Sequence, residues 1–312
     1  MTNELILHHY PLSPFAEKIR LILGYKQLAW KSVLIPAVMP KPNLVALTGG
    51  YRKTPVLQIG ADIYCDTALI CDVLEHLQPA PGLYPEHAKG LSRLLAQWAD
   101  NTLLWTAMAY NFAPKGVAQI FAGDPPETVK LFGEDRARMG IAIPRMRPAD
   151  AAAAYKSYLR RLANMLEDQP YLLGQQASVA DFAAYHPLWF TRHRTPVLAG
   201  ILDATPAVLS WMDRLAGIPN ASADRLGAEA AIALAARSTP AALPGETFQD
   251  EHRIALGSQV TITSESFGTE PTSGELVAAT RMHYTLRRLD DRAGTVHVHF
   301  PRIGYGLRAA VA

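Results

Sequence analysis

Short apolar runs and longer periodic segments alternate over the first 80 residues of the chain. Apolar runs bounded by Gly or Pro predict buried strands, and apolar residues three or four apart predict amphipathic helices. Ser13 followed by Pro14 is a typical helix start, with a serine cap and a proline in the first turn. The patterns predict strands at 5–7, 30–35, 55–59 and 63–64, and helices at 14–25 and 67–77. The order is βαβ, then a hairpin and a helix.

Residues from about 90 to 238 follow a helical period. Ser178 precedes Asp181 by three positions, a capping-box variant in which the acid reaches back to the amide of the cap residue. Helices are expected at 91–109, 148–167, 205–215 and 222–237, and one begins after Ser178. The earlier segment 37–50, rich in Pro and Gly, predicts no helix.

Beyond a Pro-containing linker at 239–245, the pattern changes to alternating and β-branched runs with Gly-containing turns between them. These runs predict strands at 260–263, 276–278, 282–289 and 295–300. We interpret them as a small β domain, either barrel-like or a curled sheet. The fold class is therefore α+β with several domains: 1–80, 88–238 and 246–312.

Composition and charge exclude several classes of function. With 312 residues, 49% of them hydrophobic, the chain suits a globular protein of two or three domains. The net charge is +2 and charges do not cluster, so we expect no nucleic-acid partner. No apolar stretch approaches the roughly 18–20 residues of a membrane helix, and the first residues do not resemble a signal peptide. A cytoplasmic location without a membrane partner is the expectation.

The cysteines and histidines give no metal signal in the sequence. Cys65 and Cys71 are the two cysteines of the chain, and they do not form a CxxC pair. His297 and His299 alternate along one predicted strand, as two metal ligands would, but no third ligand is evident near them in sequence. We interpret them as surface histidines and expect no metal.

Ser13 is the first candidate for chemistry. A hydroxyl at a helix N-terminus lies close to free backbone N–H groups and to the positive end of the helix dipole, where a thiolate is stabilised. A simple N-cap role explains the same residue equally well.

Two later segments also suggest ligand binding. A proline that enters a strand, as Pro55 does, lies either at an edge or after a cis peptide that leaves Thr54 free to pair with an extended peptide. Asp66 and Thr67 offer a carboxylate and a hydroxyl at the start of the next helix, which suits a group carrying both an amine and a carboxylate. The alternatives are a trans edge proline and an ordinary helix cap.

In this order, the motifs resemble those of the cytosolic glutathione transferase superfamily over about residues 4–238. Residues 13–15 look like the serine-type active-site motif, 53–57 are similar to the cis-proline motif, and 66–70 resemble the motif that holds the γ-glutamyl group. Residues 178–181 are similar to the N-capping box of the family's helical domain. The resemblance implies a thioredoxin-like domain at 1–80 and an all-α transferase domain at 88–238, with the β domain as an addition.

The resemblance also implies roles for individual residues. Ser13 would hydrogen-bond the sulfur of glutathione and lower the thiol pKa, with Tyr10 as the alternative hydroxyl. Thr54 would pair with the cysteinyl moiety, and Pro55 would fix that geometry. The remaining assignments are Asp66 and Thr67 for the γ-glutamyl group and Lys53 for the glycyl carboxylate.

The sequence departs from the family pattern at three positions. Arg52 stands where glycine is common, Thr54 replaces valine, and Thr67 replaces serine. In the family, the first helix of the α domain lines the pocket for the electrophile, which makes Trp98 and Trp105 candidates for that pocket. Helix–helix core or dimer contacts are the other explanation for these two side chains.

Two functions follow from the resemblance. The first is an enzyme of detoxification, a homodimer that activates the glutathione thiol for attack on a small hydrophobic electrophile or a peroxide. The second is a non-enzymatic interaction protein in which the C-terminal β domain binds a partner, since a fold does not fix a function. Thiol transfer usually needs a cysteine at the position of Ser13 and is disfavoured.

Overall fold

The computed structural model describes residues 4–140, 146–243 and 245–310. The outermost residues of the first and last predicted domains, 1–3 and 311–312, and Pro244 of the predicted linker lie outside the described residues. The strands are β1 Leu5–His9, β2 Trp30–Leu34, β3 Val56–Ile59, β4 Asp62–Cys65, β5 Ala223–Arg225, β6 Gln259–Ser264, β7 Thr272–Ala279, β8 His283–Asp290, β9 Gly294–Pro301 and β10 Tyr305–Ala309.

Helices occupy most of the remaining chain. They are α1 Pro14–Tyr25, α2 Pro42–Thr48, α3 Thr67–Leu77, α4 Lys89–Trp98, α5 Leu104–Asn111, α6 Pro114–Ile120, α7 Pro126–Met139, α8 Pro148–Met165, α9 Val179–Arg194, α10 Pro206–Ala216 and α11 Ala228–Ala236. A π-helical turn, Ala99–Leu103, joins α4 to α5, so the two form one interrupted helix. This interrupted helix is the long helix that the sequence predicts at 91–109.

The N-terminal unit has the thioredoxin-like order that the sequence predicts. β1 pairs in parallel with β2 and antiparallel with β3, and β4 completes the hairpin with β3. The helices α1 and α3 pack on one face of this sheet together with the α domain, in a core that includes Ile22, Ile70 and Phe182. The fold prediction for the first two domains is confirmed.

The α domain is built around α9, which is buried along nearly its whole length. The capping box that the sequence predicts is present, because Asp181 accepts hydrogen bonds from both the amide and the hydroxyl of Ser178 at 2.8 Å. The same carboxylate also accepts from the Leu172 amide at 2.8 Å and from the indole N–H of Trp211 at 2.9 Å. One acid therefore ties the start of α9 to α10 and to the preceding loop.

The C-terminal strands extend the N-terminal sheet. Within the described residues the strand order is β10-β6-β7-β8-β9-β4-β3-β1-β2-β5, and β9 pairs in parallel with β4. The prediction of C-terminal strands is confirmed, but their barrel-like closure is not, because β9 joins β4 instead of returning to β10. The second face of the sheet packs on α2 and α11 in a core that includes Val33, Ile232 and Phe300. We call residues 246–310 the β extension.

Several elements differ from the sequence prediction. The segment 37–50 contains α2, the segment 222–237 divides into β5 and α11, and α6, α7 and β10 were not predicted. The β extension approaches the loop after α2 closely, since a Cβ atom at Gly50 would collide with the carbonyl oxygen of Pro271. This close approach places the extension beside the residues that follow Gly50, and these lead into the candidate site.

Candidate active site

A cleft of about 1190 Å³ lies between the thioredoxin-like unit and the α domain. Pockets for drug-sized ligands usually have volumes of roughly 300–1,000 Å³, so this cleft has room for a tripeptide and a second molecule. Its lining includes every residue that the sequence assigns to glutathione, namely Tyr10, Ser13, Lys53, Thr54, Pro55, Asp66 and Thr67. The structure therefore brings these residues together from three separate segments of the chain, 10–13, 53–55 and 66–67.

Ser13 is both the N-cap of α1 and part of the cleft wall. Its Oγ accepts a hydrogen bond from the Ala16 amide at 3.2 Å, as an N-cap does. Across residues 4–140, 146–243 and 245–310, no acceptor takes the proton of the Ser13 hydroxyl. The hydroxyl can therefore cap the helix and still donate to an anion in the cleft.

The peptide bond between Thr54 and Pro55 is cis. Neither the amide nor the carbonyl of Thr54 makes a backbone hydrogen bond within the part of the chain that the structure describes. These two groups are therefore available for an extended peptide to pair with. The alternative of a trans proline at an ordinary edge does not hold for this loop.

Asp66 lies at the N-terminus of α3 with φ 78° and ψ 137°, outside the left-handed helical region, which is a strained backbone for a residue with a side chain. Its Oδ1 accepts from the amide of Ala68 at 2.9 Å, and its Oδ2 accepts from the hydroxyl of Tyr305 at 2.9 Å. A carboxylate has about four acceptor positions, so these two bonds leave capacity for a ligand ammonium group. Tyr305 belongs to β10 and was not a predicted site residue.

Thr67 is held by a buried ionic cluster behind the cleft. The ammonium group of Lys18 donates to Thr67 Oγ1 at 3.2 Å and to Asp100 Oδ2 at 2.6 Å. Nε2 of His186 lies 2.9 Å from the other oxygen of Asp100. Asp100 sits in the π-helical turn, which thus connects the α domain to the start of α3.

Lys53 faces the β extension. Its ammonium group donates to Ser264 Oγ at 3.0 Å and lies 4.7 Å from the centre of the Tyr305 ring and 5.4 Å from that of Tyr51. Burial lowers the pKa of Lys53 despite the nearby Asp66. Lys53 still lines the cleft, but its charge already has partners.

Lys41, a cation that the sequence analysis missed, lies beside Thr54. Its Nζ donates to the carbonyl oxygen of Arg52 at 3.1 Å and lies 3.5 Å from Thr54 Oγ1. Burial and the charges of Arg136 and Arg52 lower the pKa of Lys41 to about 7. Lys41 immediately precedes α2, and its position was not recognised because the segment 37–50 predicted no helix.

Arg52, one of the three departures from the family pattern, has a structural role. Its guanidinium pairs with the almost fully buried Asp135 on α7 at 2.5 Å and with Glu270 of the β extension at 2.9 Å. The adjacent Arg136 donates to the hydroxyl of Tyr10 at 3.3 Å. Arg52 therefore joins the site loop to α7 and to the extension, and Arg136 orients the hydroxyl of Tyr10.

The far part of the cleft is apolar. Trp105 lines it, and the Trp105 ring lies 4.8 Å from the ring of Phe267 in the β extension. Other apolar lining residues are Met108, Phe112, Phe121, Phe132 and Phe190. Trp98 packs edge-on against Tyr158, with ring centres 5.3 Å apart, and is not a lining residue. The pocket assignment of Trp98 is therefore corrected to a helix–helix contact, while that of Trp105 remains a proposal.

Comparison with known proteins identifies the class. The family model of the glutathione S-transferase N-terminal domain matches residues 7–82, and that of the C-terminal domain matches residues 133–214. A solved GST-like protein from Pseudomonas syringae is 42% identical, with a TM-score of 0.82, over 99% of this chain and 100% of its own length. The chain belongs to the glutathione S-transferase family, and the match to the Pseudomonas protein spans the β extension as well as the two family domains.

More distant relatives lack this full coverage. FtsZ-localized protein A of Caulobacter vibrioides is 23% identical over 189 residues, which are 59% of this chain and 75% of that protein. A rice glutathione S-transferase solved in complex with glutathione is 19% identical, with a TM-score of 0.50, over 69% of this chain and 87% of that one. At this identity the rice protein supports the fold alone.

Proposed function

We propose that the protein binds glutathione in this cleft and activates its thiol for attack on a hydrophobic electrophile. One observation carries the proposal: the free Ser13 hydroxyl, the unpaired main chain of Thr54 and the acid–hydroxyl pair at the start of α3 line one cleft with an apolar chamber. A tripeptide extended along Thr54 would present its sulfur to Ser13 and its γ-glutamyl end to Asp66 and Thr67.

The chemistry needs a glutathione thiolate at neutral pH. The Ser13 hydroxyl would donate to the sulfur, and the N-terminus of α1 would add favourable electrostatics, so the thiol pKa falls. The thiolate would then form a sulfur–carbon bond with the electrophile, and a leaving group would depart with the bonding electrons. The apolar chamber beside Trp105 would hold the electrophile, or a hydrophobic peroxide, close to the sulfur.

The cation for the glycyl carboxylate is reassigned in this proposal. The sequence favours Lys53, but Lys53 already contacts Ser264 and two tyrosine rings. Lys41 lies next to Thr54, where the C-terminal half of an extended tripeptide would run. We therefore propose Lys41 as the main carboxylate partner.

The role of Ser13 is tested by Ser13→Ala, with Ser13→Thr as the matched control that keeps the hydroxyl and the cap. Ser13→Ala should lower kcat for conjugation to a small aromatic electrophile by about 10²-fold, as loss of a donor to a developing anion typically does. It should also raise the pKa of bound glutathione, followed by thiolate absorbance near 240 nm. The cap loss costs about 1 kcal/mol, so thermal unfolding is measured in parallel.

Tyr10→Phe distinguishes the two hydroxyls. If Ser13 is the donor, this variant retains most of the activity and an unchanged thiol pKa. Unchanged activity in Ser13→Ala combined with loss in Tyr10→Phe would reassign the catalytic role to Tyr10. Failure of the wild-type protein to bind glutathione would reject the enzymatic proposal altogether.

A second candidate function is that of an interaction protein. Two observations favour it: the β extension already contacts Lys53 and Asp66, and one relative is named for its localization with FtsZ. Co-sedimentation with purified FtsZ polymers tests this candidate directly. Binding to the polymers together with no detectable affinity for glutathione would favour it over the enzyme.

The proposal also covers the oligomeric state and the cellular location of the protein. We expect a homodimer in the cytoplasm, as in the cytosolic members of the family, and light scattering coupled to size-exclusion chromatography measures the mass. In the described part of the chain, none of the helices combines the length and apolar character needed to span a bilayer.

A further inference from the structure

Three metal-binding side chains meet where the β extension joins the thioredoxin-like sheet. His297 and His299 project from the same face of β9, and Asp62 lies opposite His297 in the register with β4. The Oδ1 atom of Asp62 is 2.9 Å from Nε2 of His299 and 3.8 Å from Nδ1 of His297. One donor atom from each residue lies within 4.8 Å of the others. The third ligand that the sequence analysis did not find is therefore supplied across the strand pair.

The two spacings from Asp62 to the histidine donors are close to those of a transition-metal site. Zinc bound tetrahedrally at about 2.0–2.1 Å places its ligands roughly 3.3–3.4 Å apart, and the two distances from Asp62 bracket this value. Two imidazoles and one carboxylate form a common three-residue zinc set, with a fourth position left for water. The hard cations Mg²⁺ and Ca²⁺ prefer sets made only of oxygen ligands, and these histidines do not suit them.

The surrounding groups orient the ligands. The second carboxylate oxygen of Asp62 accepts from the amide of Ala241 at 2.8 Å, and Nδ1 of His299 lies 3.0 Å from Thr285 Oγ1. The ring of Tyr64 stacks on His299 with centres 4.5 Å apart. Such outer contacts typically hold metal ligands in place.

His297 provides a separate indication of a ligand. Its Nδ1 is buried and has no hydrogen-bond partner within the described residues, although it faces Asp62. A buried polar atom without a partner costs free energy, and a bound cation would satisfy it.

We propose that Asp62, His297 and His299 bind one zinc-like divalent ion that fastens the β extension to the thioredoxin-like sheet. The ion would link β4, which leads directly into Asp66, to β9, which leads into Tyr305. This site does not depend on glutathione binding, so it stands or falls separately from the proposed function. The ion would have a structural role, because it would stabilise the arrangement of the strands at the cleft.

The experiment uses the full-length protein, stripped with a chelator and titrated with ZnCl₂ and CoCl₂. One Zn²⁺ per chain should bind by calorimetry, and Co²⁺ should give the intense visible bands of a four- or five-coordinate site. His297→Gln should weaken Zn²⁺ binding by at least about a hundredfold, and Thr285→Ala by about 10- to 100-fold. Zinc should raise the midpoint of thermal unfolding in the wild type and not in His297→Gln.

His283 provides the matched control. It lies on β8 near His299, with ring centres 6.4 Å apart, but Nδ1 of His283 lies 3.0 Å from Thr280 Oγ1. His283→Gln should therefore leave zinc affinity unchanged. Absence of stoichiometric binding in the wild type would overturn the proposal and leave a hydrogen-bonded Asp–His pair. Equal binding by wild type and His297→Gln would overturn it as well.

Discussion

The hydroxyl of Tyr305 donates to Oδ2 of Asp66 at 2.9 Å and so connects the last strand of the chain to the start of α3. The two residues are 239 positions apart in sequence. Tyr305 is buried, and its ring also lies 4.7 Å from the ammonium group of Lys53. The β extension therefore supports, through Tyr305, two residues that line the cleft at the proposed γ-glutamyl site, Asp66 and Lys53.

Tyr305→Phe should weaken the binding of S-hexylglutathione by about tenfold. The variant keeps the ring but removes the hydrogen bond that orients Asp66, and a hydrogen bond to a charged group contributes roughly 1.5–3 kcal/mol. Calorimetry measures the affinity. Tyr284→Phe, elsewhere in the extension, serves as the control and should bind normally. Tighter binding in Tyr305→Phe would mean that Tyr305 competes with the ligand for Asp66.

The binding of S-hexylglutathione should also depend on pH through Lys41. Its pKa is lowered to about 7 by burial and by Arg136 and Arg52, so the ammonium form is populated below pH 7 and lost above it. The glycyl carboxylate of the ligand pairs with the ammonium form of Lys41. The affinity for S-hexylglutathione should therefore be highest near pH 6 and about tenfold lower near pH 8.5. This probe has no free thiol, which removes thiol ionisation from the measurement.

Lys41→Arg tests the cause of that pH dependence. Arginine stays charged across the range, so the variant should bind with a flat pH profile. Lys53→Gln should keep the wild-type profile, because the Lys53 charge is directed at Ser264 and two aromatic rings. A pH profile that disappears in Lys53→Gln and persists in Lys41→Arg would return the carboxylate role to Lys53.

Asp100→Asn should reduce the free energy of unfolding by about 3–5 kcal/mol, because it leaves the buried ammonium group of Lys18 without its counter-charge. Urea denaturation followed by circular dichroism measures the change. Asp213→Asn, which breaks an exposed pair with Arg192, is the matched comparison and should cost less than about 1 kcal/mol. Equal effects in the two variants would show that the Lys18 cluster contributes no more than a surface pair.

Asp181→Ala should destabilise the α domain by about 3 kcal/mol or more. The carboxylate is fully buried and accepts from two backbone amides, the Ser178 hydroxyl and the Trp211 indole, so its removal leaves several buried donors unpaired. Thermal and urea unfolding measure the loss. A change below about 1 kcal/mol would indicate that water replaces the carboxylate at these donors.

Local signals in the sequence were sufficient to predict where α1 and α9 begin. The Ser13–Pro14 start of α1 and the Ser178–Asp181 capping box depend on contacts three residues apart, and both are present. The cis bond before Pro55 came from the resemblance to the family, because residue statistics alone favour a trans edge proline.

Long-range partners could not be predicted from local patterns. Lys53 and Ser264 are 211 positions apart, and Asp62 and His299 are 237 apart, so no spacing rule connects them. β4 and β9 are also distant in sequence and pair in parallel. Alternation of apolar and polar residues predicts that each is a strand, but it does not predict which strand pairs with which. The sequence therefore left a barrel-like domain and a curled sheet as alternatives, and the strand order of the structure is that of an open sheet.

Short elements were missed for a different reason. α2 has seven residues, and it lies between Pro42 and the left-handed Gly49, so its length is too small for a clear helical period. β10 has five residues and includes Gly306, which lowers its strand propensity. Because α2 was not predicted, Lys41 was not recognised as a site residue. Tyr305 was not recognised because β10 was not predicted.

The structure of the full-length protein crystallised with S-hexylglutathione tests the central claim most directly. We predict a tripeptide paired with the main chain of Thr54, its γ-glutamyl group at Asp66 and Thr67, and its sulfur within hydrogen-bonding distance of Ser13 Oγ. A cleft that stays empty at millimolar ligand, or a peptide bound elsewhere on the protein, would contradict the account.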